Sequence, residues 1–299
     1  KQLIFNLLLF IAFALSTNVS AQNQLWKKVP GIQPEQKRME GMVSLPSKYD
    51  LMSLKVNELK TKLQKSLNKS ANTEGVIISL PVGEGKLQHF RLRESSIFSP
   101  GLQSRYPGIR SYSARGIDDP TASARLSFSD YTGLNGIIVS GKHPTVYIDP
   151  YTQDKESYII YRRNEYHRNT EWECLTGENN SIEKSSLRNP LSNDSLLRTY
   201  RLALACTGEY AQYHLNRLGI PPNSPDEVKK AAVLSEMNAA MTRVNEIYEK
   251  DMAIRMILID STDKLIYLNG NSDPYSNFDG FTMLDENQTT CDAVIGEDR

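Results

Sequence analysis

The sequence predicts an α+β protein in two parts, a β-rich unit followed by the beginning of an α/β unit. Three observations carry this. Short apolar runs rich in β-branched and aromatic residues recur between residues 75 and 165, with Gly, Pro and Asp between them. A strand-like run, a long helical pattern and a second strand-like run follow one another between 199 and 259. A stretch rich in Asn, Ser, Lys and Glu separates the two parts.

The order along the chain is as follows. Lys1, an almost unbroken apolar run over 3–15, and small residues ending at Ala21 form the pattern of a secretory signal peptide cut after Ala21. The run is too short for a permanent membrane span, and export permits disulfides. Residues 22–74 are polar and Lys-rich. Leu51, Leu54, Val56, Leu59, Leu63 and Leu67 predict one amphipathic helix over 49–67. The β-rich domain occupies 75–175, with strands expected at 76–80, 88–92, 124–128, 136–139, 145–148 and 157–161. Residues 176–196 form an exposed linker, the kind of segment that proteases cut; Lys184, Arg188 and Arg198 are its candidate cleavage sites.

The second unit spans 197–299. Residues 199–206 alternate in a way that suits an interior strand. A helix over 209–218 stops at Gly219, a good C-terminal cap. Ser224, Pro225 and Glu227 compose a capping box at the start of a helix running to about Lys250. Its apolar residues, from Val228 to Tyr248, fall three or four apart in one stripe. Residues 253–259 are the next strand, and a strand–helix–strand unit implies parallel pairing. A short strand at 264–268 and a helix at 284–295 complete the reading.

Composition excludes some functions and leaves others. Thirty-five basic and thirty-five acidic residues give a net charge of zero, which argues against a nucleic-acid binder. The charge is divided unevenly: residues 198–299 carry −6 and the remainder +6, a division that would let the two parts attract and that chance also produces. His89, His143, His167 and His214 show no i, i+4 pair to face a metal, and each reads as a surface or turn residue. No Gly-x-Ser-x-Gly, phosphate-binding Gly-rich loop or Cys-x-x-Cys is present. Asp118 and Asp119 are the only paired carboxylates that suggest a hydrolase, and before Pro120 they read as a turn. Residues 269–280 are rich in oxygen ligands that suit calcium, but the same residue types build plain turns.

Two regions resemble a known family. Leu-Arg-Thr-Tyr-Arg-Leu-Ala-Leu-Ala-Cys-Thr-Gly-Glu-Tyr at 197–210 and Met-Asn-Ala-Ala-Met-Thr-Arg-Val-Asn-Glu-Ile-Tyr-Glu-Lys-Asp at 237–251 are similar to the start of the catalytic domain in bacterial secreted reprolysin-like metalloproteases of the metzincin clan. Arg-Gly-Ile-Asp-Asp-Pro-Thr-Ala-Ser at 115–123 and Thr-Val-Tyr-Ile-Asp-Pro at 145–150 resemble the propeptide region of the same proteins. The resemblance implies a zinc endopeptidase precursor, latent until its propeptide is removed. It acts on protein or peptide substrates, and its own propeptide is the intramolecular inhibitor. The fold it implies is a β-rich propeptide domain followed by the N-terminal, truncated part of a metzincin-like α/β catalytic domain. The family's zinc motif, His-Glu-x-x-His-x-x-Gly-x-x-His, does not occur in residues 1–299, so the fragment alone is expected to be inactive.

In related metzincins a propeptide cysteine holds the zinc and keeps the enzyme latent. That role falls here to Cys174, with Cys206 and Cys291 expected to join in a disulfide within the second unit. Three cysteines allow three single pairings, and Cys174 as a disulfide partner or a buried thiol stays open. The alternative to the protease reading is a non-catalytic secreted protein that binds a surface or polysaccharide, with a degenerate second unit.

Overall fold

The computed structural model describes residues 25–31, 37–39, 44–67, 75–167, 195–277 and 279–296. Signal-peptide residues up to Ala21, and Cys174, Lys184 and Arg188, lie outside these residues.

Among the described residues, nine strands form one antiparallel sheet. They are β1 (Trp26–Lys28), β2 (Asp50–Leu54), β3 (Val76–Pro81), β4 (Leu87–Glu94), β5 (Arg110–Gly116), β6 (Ser123–Ser129), β7 (Gly133–Val139), β8 (Val146–Pro150) and β9 (Ser157–Arg162). From β3 to β9 each strand pairs with the next in sequence, and β2 and then β1 add beyond β9. The sheet curls until its edges approach, and the Trp26 indole N–H donates to the Ser79 carbonyl at 3.0 Å. Period-two alternation explains the inner face: Ala124, Leu126 and Phe128 of β6 enter one core with Leu134, Ile138, Ile148 and Tyr158. Helix α1 (Val56–Leu67) adds Leu59 and Leu63 to it.

Two expectations change here. Residues 49–67 are not one helix. Asp50, Met52 and Leu54 alternate inward on β2, which pairs with β9, and the helix starts only at Val56. Within 22–74, β1 and β2 are strands of the same sheet as β3 to β9. Strand β5 and the short helix α2 (Pro100–Arg105) were not expected; Ser, Ala and Arg in β5 lack the β-branched signature.

The second unit begins with β10 (Arg198–Leu202), followed by α3 (Gly208–Leu218), α4 (Asp226–Asp251), β11 (Ile254–Leu258) and α5 (Gly280–Ile295). β10 and β11 pair in parallel across the two helices, as a crossover unit requires. Gly219 adopts the left-handed conformation at the end of α3 (φ 69°). α4 is 26 residues long, about 39 Å. Asn245 ties it to β11: its amide donates to the Met256 carbonyl and its carbonyl accepts from the Met256 N–H, both at 2.9 Å.

Other local expectations are corrected. β10 ends at Leu202, and Tyr200 is exposed; Cys206 keeps only an isolated bridge to Ile266. Pro225 takes the N-cap place of α4 with no side-chain cap, so Ser224 is not the cap. Of the expected 264–268 strand, Lys264 and Leu265 end a 3-10 turn, Asp260–Leu265, and Ile266 alone keeps a β-bridge, to Cys206. α5 starts at Gly280, not 284, because the Asp279 carboxylate caps the Phe281 N–H at 3.0 Å. α4 is buried on two sides rather than along one stripe. Ala232, Val233, Leu234, Met237 and Met241 face the second core, while the polar Asn238, Thr242, Asn245 and Glu246 are also buried.

Candidate functional site at the contact between the sheet and the second unit

The polar side of α4 lies on the outer face of β5, β6 and β7. The same alternation that sends Leu126 inward sends Ser123 and Arg125 outward to the helix. The Arg125 guanidinium donates to the Ser95 hydroxyl at 2.8 Å, pairs with Glu249, and stands 3.5 Å from Glu246. Arg125 and Glu246 are each only about 5% exposed. Glu249 is held again by Arg255 at 2.7 and 3.1 Å, and Ser123 donates to Glu246. Burial pushes the Glu246 carboxyl above the usual range, opposed by the Ser123 hydrogen bond and by Arg125. Further along, the Ser111 hydroxyl donates to Asn238 at 2.9 Å, and the Asn238 amide donates to the Arg110 carbonyl at 3.3 Å. Arg243 of α4 reaches Asp149 of β8 at 2.5 Å and the carbonyls of Gly136 and Ile148 at 3.2 Å.

A second contact joins α2 to the end of β11. Residues 97–99 meet β11 through a single parallel bridge, Phe98 to Leu258: the Ser99 N–H donates to the Leu258 carbonyl at 2.9 Å, and the Leu258 N–H donates to the Ile97 carbonyl at 2.8 Å. Asp260 then accepts from the Ser99 hydroxyl and, at 3.0 Å, from the Leu102 N–H at the start of α2. Gly101 makes this approach possible, since a Cβ there would lie 2.7 Å from the Asp260 carboxylate. Arg105 holds Asp263 through two bonds of 3.1 Å. Beneath these polar contacts Ile97, Phe98, Leu102 and Ile109 share one apolar core with Leu234, Met237 and Leu258.

Beside the Arg243–Asp149 pair, a cavity of about 400 Å³ is bordered by Asp149, Tyr210, His214, Arg217, Glu236 and Arg243. His214 is not a surface residue as expected. It packs on Tyr210 and Tyr213, and burial, with Arg217 adding to it, lowers its pKa to about 4. It is neutral at neutral pH. Glu236 beside it takes its charge partner from Arg217 at 2.5 Å.

The residues singled out from sequence are scattered. Cys206 and Cys291 are free thiols in the structure, so the expected bridge is absent there. Cys206 is buried, and burial pushes its pKa up to about 12; Cys291 instead lies on α5, 3.8 Å from Asn287 Oδ1. Arg198 stands opposite Ile254 in the β10–β11 ladder, and its N–H donates to the Ala253 carbonyl at 2.8 Å. Asp118 and Asp119 serve turns: Asp118 accepts from the His89 N–H and ring, and Asp119 from Thr121 and Ser140. In the 269–280 segment, Asp273 accepts from the Gly208 and Tyr275 N–H groups, and Asn269 from that of Asn271. These oxygens build turns and a helix cap, which accounts for the composition without calcium. Among the described residues no group of three or more His, Cys, Asp or Glu could hold a metal ion, so they do not fit a catalytic zinc.

Sequence reasoning missed Arg125, Arg243, Asp260 and Gly101. A signal for the first existed: in β6 the residues between Ala124, Leu126 and Phe128 are all polar, yet the strand is buried on both faces. A matching set, Asn238, Thr242, Glu246 and Glu249, repeats along the second side of α4.

No curated protein matches the chain. No solved structure matches it either. Residues 234–299 match the reprolysin-like metallo-peptidase family M12B, a stretch that contains Asn238, Arg243, Glu246, Glu249, Asp260 and Asp263, whose side chains meet the sheet unit in the contacts described above.

Proposed function

We propose that this chain is the leading part of a secreted zinc metalloendopeptidase precursor, in which residues 22 to about 195 form the inhibitory propeptide. The family match over 234–299 supports a zinc metalloprotease and, with it, peptide substrates. The observation that carries the precursor reading is the contact itself. A separate β-sheet unit grips, through buried ion pairs and a parallel β-bridge, the same stretch that matches the peptidase family. In this reading the zinc ligands come from sequence outside residues 1–299, and Cys174 is the thiolate that would close the zinc site in the latent form. The signal segment ending at Ala21 would direct export; no helix of the described residues is long and apolar enough to cross a membrane.

Activation cleavage belongs before β10. Cutting at Arg198 would take the first rung from the β10–β11 ladder, whereas Lys184 and Arg188 precede it. The test is the coding sequence after Arg299. A His-Glu-x-x-His-x-x-Gly-x-x-His motif there is the expected result. A stop codon directly after Arg299 would leave the zinc without ligands and favour the binding-protein alternative.

A further inference from the structure

We infer that the two units form a complex that survives cutting of the chain between them, and that charge pairs on the polar side of α4 make this complex dissociable by salt. The inference rests on the precursor reading for its purpose, but on the contact alone for its physics.

The two sides of α4 differ. The side toward α3 and β11 is mainly apolar and belongs to the second unit's own core, where Asn245 bonds to Met256 of β11 and Glu236 to Arg217 of α3. The side toward the sheet carries Asn238, Thr242, Arg243, Glu246 and Glu249. A helix meant to stay buried on both sides needs no such residues; an apolar sequence would pack as well without the desolvation cost of ions. A helix whose second side must later face water needs them. The sheet answers in kind, with Ser111, Ser123, Arg125 and Asp149 on the facing positions. Asn238, Glu246, Glu249 and the Arg243 terminal nitrogen are matched while the units are joined; Thr242 Oγ1 and Arg243 Nε are buried there without a hydrogen-bond partner, and all of them can be hydrated when the units part.

Cohesion without a covalent link comes from the second contact. Ile97, Phe98, Leu102 and Ile109 are buried against the second unit, and residues 97–99 add main-chain bonds to β11. Apolar burial of this kind is insensitive to dilute salt. The ionic pairs respond differently. Once separated, Arg125, Glu246, Glu249, Arg105 and Asp263 gain an ion atmosphere, so salt favours the separated units. The opposite net charges of the two parts, +6 and −6, act in the same direction.

The experiment uses the chain from residue 22 to 299 with a specific protease site placed between Lys184 and Arg188. After complete cutting, association is measured by sedimentation at micromolar concentration. The inference expects one complex in 0.1 M NaCl and at least tenfold weaker association in 1 M NaCl. Arg105→Ala, at a half-exposed position that folding tolerates, should weaken association about tenfold. Arg125→Ala should weaken it about a hundredfold, as truncation within a buried charge cluster does. Lys86→Ala, whose partner Glu84 is also in the sheet unit, should change nothing. Separation at 0.1 M NaCl, or association that salt and both arginine variants leave unchanged, would overturn the inference. Peptidase activity is not read in this experiment, so the contact and the protease assignment stand or fall separately.

Discussion

Replacing Arg125 by Ala tests the contact where it is most completely buried. The change removes the donor to Ser95 and the partner of two carboxylates. Breaking a buried pair by removing one member typically costs 3–5 kcal/mol, because a charge is left without its partner. Two features put this site at the lower end. Glu249 keeps Arg255, and Glu246 keeps the Ser123 hydroxyl and Lys250 at 3.9 Å. The expected loss is therefore about 3 kcal/mol. For a folded body of this size that corresponds to a melting temperature lower by about 6–12 °C.

The loss should also depend on pH in a defined direction. Burial already raises the Glu246 pKa above its unfolded value, so the folded state holds that proton more tightly. Stability from this group is present in acid and is lost as pH rises through the raised value. Without Arg125 the rise is larger, so the deficit should be smallest near pH 4.5 and grow toward pH 7. The assay is thermal and urea unfolding of residues 22–299 at both pH values, with the urea m-value unchanged. A shift below about 2 °C, or a deficit that is equal at the two pH values, would refute the role given to this cluster.

Three further outcomes are expected. Gly101→Ala places a Cβ 2.7 Å from the Asp260 carboxylate and should lower stability by about 1–2 kcal/mol in urea unfolding; the penalty should shrink in the Asp260→Ala background, and equal penalties in both backgrounds would rule out this contact as its cause. Under native conditions Cys206 should resist thiol reagents while Cys291, which lies partly open on α5, reacts first; mass mapping of the labelled protein decides, and equal labelling of both would contradict the burial of Cys206. A Cys174→Ser precursor carrying the complete gene product should cleave a peptide substrate before its propeptide is removed; unchanged latency removes the switch role from Cys174.

The fold was legible where local chemistry and tertiary packing agree. The Val- and Ile-rich runs of β3, β7 and β9 and the Gly219 stop of α3 could be read directly. So could the length of α4 and its parallel flanking strands. Reading failed where long-range pairing decides. The 49–67 segment carries Leu and Val at helical spacing, yet pairing with β9 claims its first half. β5 is Ser-rich and is a strand only because β4 and β6 bracket it. The site shows the same division. The charge split between the two parts pointed to an attraction, but which groups meet depends on α4 crossing the outer sheet face. Only that crossing distinguishes Arg125 from the exposed basic residues around it. His214 was misread because a lone histidine carries no sequence mark of the Tyr210 and Tyr213 rings that enclose it. The expected cysteine pairing rested on both residues lying in one exported unit rather than on geometry, and both are free thiols in the structure.

The most direct test of the central claim is peptide hydrolysis by the complete gene product, measured before and after removal of residues up to about 195, with metal content determined in the same preparation. The account predicts a latent protein that begins to cleave peptides once the sheet unit is removed, loses the activity to a chelator, and regains it with zinc. A complete product that carries no zinc and cleaves no peptide after the sheet unit has been removed would contradict it.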